Sequence, residues 1–338
     1  MSFIRTVLGD IDPPDLGPTD AHEHLAITGG RLVELEPDAL LADVDRAVAE
    51  LSEAHGAGLR AAVDAMPCDA GRDVRILAEI SRRAGVHVIA ATGLHLERYY
   101  DDRHWSRTAS EAALADRFTA DVTDGIDADD HGARQVGRTS HRAGVVKVAG
   151  SREGLTELER RVFAAAATTH HRTGAPILTH ATDGRAADEQ VELLLDLNVD
   201  PGHLAISHVD GVADPGYHRA LLGAGATLVY DQALRWPAGE PNGTLDLLER
   251  LLPEFPDRIV LGLDAGRRRY WHAYGGSPGL VFLPGELRDR MAARGIGPEL
   301  RRRLFATTPA RLFSFVAPDA GRPAPVGAGT RPGTEPSG

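Results

Sequence analysis

Eight short runs rich in β-branched and small apolar residues recur along the chain: Gly17 to His22, Leu59 to Ala65, Val86 to Thr92, Val145 to Val148, Pro176 to His180, Leu204 to His208, Ala226 to Asp231 and Arg258 to Asp264. Most are continuous rather than alternating, the pattern of parallel strands covered on both faces. Between them the apolar period lengthens to that of a helix. Thr156 to Thr173 is the clearest case: Leu155, Leu158, Val162 and Ala166 share a face, and Thr156 with Glu159 forms a capping box. Asp38 to His55, Asp73 to Ala84, Ala187 to Leu197 and Thr244 to Leu252 read as further helices. Strict alternation of strand and helix predicts an α/β fold, a closed (β/α)8 TIM barrel, with a doubly wound open sheet as the alternative. Two intervals are long, Leu94 to His141 and Ala265 to Pro284, and in a barrel such loops build the active-site face.

The length of 338 residues suits one large barrel domain, expected over residues 1–317. From 318 to 338 the chain is rich in Gly, Pro, Ala and Thr, cannot repay its ordering entropy, and is expected to be a flexible tail. Hydrophobic residues at 42% and charged residues at 25% are ordinary for a packed globular protein. A net charge of −12 repels nucleic acid and anionic membranes, so neither is an expected partner. Cys68 is the only cysteine, which excludes an intrachain disulfide and a thiolate metal cluster. No run reaches the ~18 to 20 apolar residues of a membrane span and the N-terminus has no signal pattern; a cytoplasmic location is expected.

The informative feature is what stands at the strand ends. The first predicted strand closes on His22 and His24, the fourth carries Lys147, the fifth ends at His180, the sixth at His208 and the eighth at Asp264. Barrel enzymes place their chemistry at the C-terminal ends of strands, so these side chains should converge on one mouth. His22 and His24, two apart on an extended segment, can grip one cation. A lone strand-end histidine is more often a hydrogen-bonded core residue than a ligand; His22, His24, His180, His208 and Asp264 at four strand ends together point to metal. Imidazole and carboxylate suit zinc, manganese, cobalt or iron better than magnesium or calcium.

Lys147 sits in an otherwise small and apolar run, where an unpaired ammonium would be costly. It could form a salt bridge to Asp64 or Asp264, or be a Schiff-base amine of lowered pKa. A third reading comes from resemblance. Thr19-Asp20-Ala21-His22-Glu23-His24, Val145-Val146-Lys147-Val148-Ala149, Leu178-Thr179-His180, Ile206-Ser207-His208-Val209-Asp210 and Leu261-Gly262-Leu263-Asp264 are similar to motifs of the phosphotriesterase-like family of the amidohydrolase superfamily. The likeness continues in Ala91-Thr92-Gly93, Tyr274-Gly275-Gly276 and Thr307-Thr308-Pro309-Ala310-Arg311, so it covers nearly everything before the tail.

The resemblance implies a binuclear, metal-dependent hydrolase of ester bonds, and a homodimer. It implies that Lys147 is an N6-carboxylysine bridging two divalent ions, zinc first among them. His22, His24 and Asp264 would hold the more buried ion and His180 and His208 the more exposed one. A hydroxide shared by the two metals would attack, with Asp264 as the catalytic general acid and base.

For the substrate, Arg267-Arg268-Arg269 and Tyr270 follow Asp264 in a chain that is acidic overall, and Arg235 lies just past the seventh strand. Arg235, Arg267 and Tyr270 would make a phosphate clamp, which resembles the phosphorylated sugar lactonases of the family. Tyr99 and Tyr100 would hydrogen-bond the lactone carbonyl. The leading expectation is a lactonase opening a phosphorylated sugar 1,4-lactone; alternatives are an organophosphate triesterase or aryl esterase, a Schiff-base aldolase built on Lys147, and a non-catalytic relative.

Overall fold

A computed structural model of the chain describes residues 2–129, 137–236 and 242–318. Of the expected tail only Pro318 lies within these, so the rest of that expectation falls outside the described residues. A short antiparallel hairpin, β1 (Ile4–Thr6) and β2 (Gly9–Ile11), opens the chain. Eight parallel strands follow: β3 (Thr19–Glu23), β4 (Ala61–Asp64), β5 (His87–Gly93), β6 (Val145–Gly150), β7 (Ile177–Ala181), β8 (Leu204–Ser207), β9 (Thr227–Tyr230) and β10 (Ile259–Leu261). Each pairs with its sequence neighbour, and β10 returns to β3 where Leu263 and Asp264 N–H both donate to the His22 carbonyl, at 3.3 and 2.8 Å. The sheet is therefore a (β/α)8 barrel, not an open doubly wound sheet.

Two apolar cores explain the continuous strand patterns. Ala61, Val63, Ile89, Ala91, Val145, Leu178, Ala205, Val229 and Val260 fill the barrel, plugged below by Ile4, Leu16, Leu312 and Phe313. Their neighbours Val146, Val148, Ile177, Ile206, Leu228 and Leu261 face the ring of helices. Alternation along β6 thus sends Val145 and Lys147 to the same inner side. The hairpin, which the sequence reading did not foresee, helps close the lower end: Val7 N–H donates to Val88 O, and Ile4 bridges to Ser314.

The helix expected over Thr156 to Thr173 forms over Glu157–Thr173, with both hydrogen bonds of its capping box present. The element expected from Asp38 to His55 is shorter, Val44–Gly56, because Asp43 caps it by accepting the Arg46 N–H. The residues before it form a separate turn, Pro37–Ala39. That segment is held away from the helix by the paired backbone bonds of Leu41 with Ile27. The last predicted strand also stops early, at Leu261: the Gly262 N–H still donates to Tyr230 O, and the Leu263 and Asp264 amides then turn across the closing seam.

Candidate metal centre

β3 departs from regular pairing between Asp20 and Glu23. This bulge lets Ala21 pack in the barrel interior while His22 and His24 both reach the mouth. Asp20 secures the distortion, accepting N–H bonds from His22 (3.2 Å) and Leu263 (3.3 Å). His208 and Asp264 stand in left-handed backbone, at φ of +69° and +48°. Non-glycine residues take that conformation at a cost of order 1 kcal/mol or more, and it is concentrated at functional sites.

The six ligand-type side chains meet. His22 Nε2 lies 3.2 Å from Lys147 Nζ, His24 Nε2 lies 3.2 Å from Asp264 Oδ1, and His180 Nδ1 lies 2.7 Å from His208 Nε2. His22, His24 and Asp264 form one group able to hold a metal ion. Asp231 forms another with His22 and His208, and its position explains the orientation of both rings. One carboxylate oxygen receives His22 Nδ1 and the other receives His208 Nδ1, each at 2.9 Å. With both Nδ1 atoms donating, both Nε2 atoms are left as lone pairs facing the centre, the arrangement by which carboxylates prepare imidazoles for metal. The donor set therefore fits a divalent cation of the zinc type. Sequence reasoning gave Asp231 no role, although it ends a predicted strand just as the ligands do. His24 is held differently: its Nδ1 has no hydrogen-bond partner, and its ring packs where a Cβ on Gly266 would stand, 2.8 Å from Cδ2.

Lys147 is 1% exposed, and among the described residues it forms no ion pair. The salt bridges considered from sequence do not form. Asp64 instead accepts the N–H groups of Leu25 (2.6 Å) and Met66 (3.1 Å), and Asp264 pairs with Arg235. Burial pulls the Lys147 amine down to about 8, against the opposing pull of Asp264 and Asp231. Burial and the Lys147 charge lower His22 to about 3, and burial with His208 as neighbour puts His180 well below its ordinary value, so both are neutral imidazoles near neutral pH. Burial would raise Asp264, but Arg235 and the bond with His24 hold it well below the usual carboxylate range.

Above the centre lies a cavity of about 210 Å³ lined by His24, Leu32, Met66, His95, Tyr99, His180, Arg235, Asp264, Arg267, Arg269 and Tyr270. The two long loops build it, as expected. Tyr99 is on its wall, with its hydroxyl accepting from Arg98 at 2.9 Å. Tyr100 is not: its hydroxyl donates to Cys68 O (3.0 Å) and accepts from the His95 N–H (2.7 Å), which bolts the loop down. The arginine run is largely employed. Arg267 pairs with Glu36 through Nε (2.9 Å) and Nη2 (2.6 Å), Arg268 donates to Leu40 O, and Arg269 pairs with Asp38. Arg235 binds Asp264 Oδ2 at 2.6 Å and its guanidinium lies 5.8 Å from the Tyr270 ring. Arg235, Arg267 and Tyr270 thus do share one cavity, but both guanidinium groups already face carboxylates.

Comparison with known proteins gives the family of the chain. The model of the Phosphotriesterase family matches residues 2–313. A phospho-furanose lactonase from Mycoplasmopsis synoviae is 29% identical over 93% of this chain and 92% of its own. An aryldialkylphosphatase from Saccharolobus solfataricus is 27% identical over 75% and 78%. Among solved structures, a lactonase from Listeria monocytogenes superposes with a TM-score of 0.85 at 28% identity, covering 93% of this chain and all (100%) of that one. The (β/α)8 barrel, the converging histidines and the family match together make the chain a hydrolase of ester bonds that belongs to the phosphotriesterase family.

Proposed function

We propose that the protein is a lactonase with two divalent metal ions, zinc in the first instance, that opens the ring ester of a phosphorylated sugar 1,4-lactone. The observation that carries the reading is Lys147: a buried amine that forms no ion pair among the described residues, beside His22 Nε2, in a ring of imidazole lone pairs. An amine lowered to about 8 keeps a minor but appreciable neutral fraction near pH 7, far more than an ordinary lysine, and a neutral amine can add carbon dioxide to become a carbamate. The resulting anion at position 147 would complete a donor set with His22, His24 and Asp264 on one side and His180 and His208 on the other.

Cations held there would supply Lewis acidity toward the ester carbonyl and make a water acidic near neutral pH. The protein's own groups do the rest. Asp231 fixes the tautomers and angles of His22 and His208. Asp264, kept ionised by Arg235, accepts the proton of the attacking water and returns it to the departing ring oxygen. The cavity rim carries Arg235, Arg267 and Arg269, a local basic cluster in a chain of net charge −12, and the half-exposed Glu36 partner of Arg267 can give way to an anionic substrate. The phospho-furanose lactonase relative supports the same class.

The test is a pH-indicator screen of lactones with and without a 5-phosphate, run on metal-replete protein and after chelation, with a phosphotriester and an aryl ester alongside. Lactone opening that is lost on chelation and regained with zinc or manganese is the expected result. Activity on the triester alone would favour the triesterase. Borohydride trapping of a carbonyl compound at Lys147 in chelator-resistant protein would make the enzyme an aldolase instead.

A further inference from the structure

His95 follows β5 on the loop that covers the mouth, and none of the roles described so far uses it. Its surroundings hold it from four directions. The Tyr100 hydroxyl takes its backbone N–H at 2.7 Å, and the Leu96 N–H donates to its Nδ1, also at 2.7 Å. Its ring stands edge-on to Tyr99, centroids 4.6 Å apart, and to His180 at 5.1 Å. The loop itself starts at Gly93 in left-handed backbone at φ of +101°, where a Cβ would run into the Lys147 carbonyl. A side chain so thoroughly held is positioned for a task or is filling space.

The Leu96 contact separates those two readings. A backbone N–H can only donate, so Nδ1 of His95 must present a lone pair and cannot carry a proton. The hydrogen of the ring is therefore on Nε2. Among the described residues Nε2 has no hydrogen-bond partner, and it is not one of the buried polar atoms sealed away from solvent. The ring lines the cavity that His180, Asp264 and Arg235 share. A space-filling histidine would bury or pair that N–H; here it opens on the cavity.

We infer that His95 is a catalytic residue, whose Nε2–H donates a hydrogen bond to the ester carbonyl oxygen as it gains negative charge. The same tautomer excludes His95 as a further metal ligand, although it neighbours His180, because a protonated nitrogen has no lone pair to offer. It takes the carbonyl role that Tyr100, engaged with Cys68 O and the His95 amide, is not placed to fill. The inference rests on the ester-hydrolase reading, but not on which ester is preferred.

The experiment uses the metal-loaded enzyme and the variants His95→Phe and His95→Gln. Removing one such donor typically lowers kcat by ~10²-fold or more. His95→Phe should lose about that factor, chiefly in kcat, with its metal content per chain unchanged. His95→Gln, whose amide can still donate, should stay within roughly tenfold of the unmodified enzyme, in line with the size of a single net hydrogen bond. A His95→Phe variant within threefold of normal would remove the donor role, and one that loses metal would make His95 a ligand. Nitrogen NMR on histidine-labelled enzyme, with the His95 signal assigned by its loss in His95→Gln, supplies a readout that does not need the phenylalanine variant to fold. Protonated Nε2 is expected, and protonated Nδ1 would overturn the inference. Rates are taken on a lactone and an aryl ester in parallel. Failure of the unmodified enzyme on lactones alone counts against the lactonase, while the aryl ester still tests His95.

Discussion

Asp231 is the residue on which the two halves of the centre depend together, since one carboxylate holds His22 and His208, which the proposed arrangement gives to different ions. It is fully buried, and although burial opposes its ionisation, His208 and His22 hold its pKa well below the ordinary carboxylate value. Its own placement is secured a step further back: Asp210 accepts the N–H groups of Asp231 (3.1 Å) and Gln232 (3.0 Å), and Thr244 Oγ1 donates to it at 2.6 Å. Asp231→Asn keeps the shape but offers only one acceptor oxygen, so one of the two imidazoles must lose its tautomer lock. Mutations of such partners lower metal affinity by ~10- to 100-fold. We expect that loss in competition with a chelator dye, with circular dichroism unchanged; a variant that retains full affinity at both sites would remove Asp231 from the account.

At the scale of elements, the loop after β10 is stapled to residues 36–40 by its three arginines, and Glu36 occupies the fork that a substrate phosphate would need. The Glu36 carboxylate is 44% exposed, so its pair with Arg267 is worth at most about 1 kcal/mol and can exchange for a better anion. Glu36→Gln should therefore lower KM for a phosphorylated lactone by up to about fivefold, leave kcat alone, and not affect the neutral lactone. A higher KM would mean that Glu36 positions Arg267 rather than competing for it. This pairing also marks the limit of what sequence can convey. His22, Lys147, His180, His208 and Asp264 were legible because the strand period and the topology of a barrel bring strand ends together. The partners of the arginines were not, because Glu36 and Arg267 are 231 positions apart and nothing local couples them. The bulge in β3 was hidden for the same reason, since the distant Leu263 N–H helps to fix it; the outward N–H of His95 is set by the adjacent Leu96 amide, but a strand period does not convey the loop turn that brings that amide onto the ring. Tyr100 shows the converse error: a polar residue on the right loop whose hydroxyl is spent on the backbone.

For the whole molecule, the consequence of this centre is that the barrel's mouth concentrates buried carboxyl groups whose ionised form burial disfavours. Asp20, Glu23, Asp64, Asp231 and Asp264 are all carboxyls of the upper barrel, burial raises the pKa of the first three, and Glu23 Oε2 has no hydrogen-bond partner. Across the seam that closes β10 onto β3, the same residues supply both ligands and backbone bonds, since the Asp264 N–H binds the His22 carbonyl. Cations bound only by the folded barrel stabilise it by mass action, about 2.7 kcal/mol for one site at a free concentration 100-fold above its Kd. For a barrel of about 300 residues, with an unfolding entropy of roughly 2.1 cal/mol/K per residue, that corresponds to about 4 °C in Tm. Chelation should lower the Tm by at least that amount, and zinc should restore it. If the proposed centre is right, the return should also require dissolved carbon dioxide, because in that centre the amine at 147 becomes an anion before the donor set is complete. Only the neutral amine reacts, and its pKa near 8 means that its fraction grows as pH rises through that value. At fixed dissolved carbon dioxide, reloading should therefore be faster at pH 8.5 than at pH 7, on the order of tenfold if the amine limits the rate. Reloading that ignores carbon dioxide would show Lys147 to be an unmodified amine, and the two-ion reading of this barrel would fail with it.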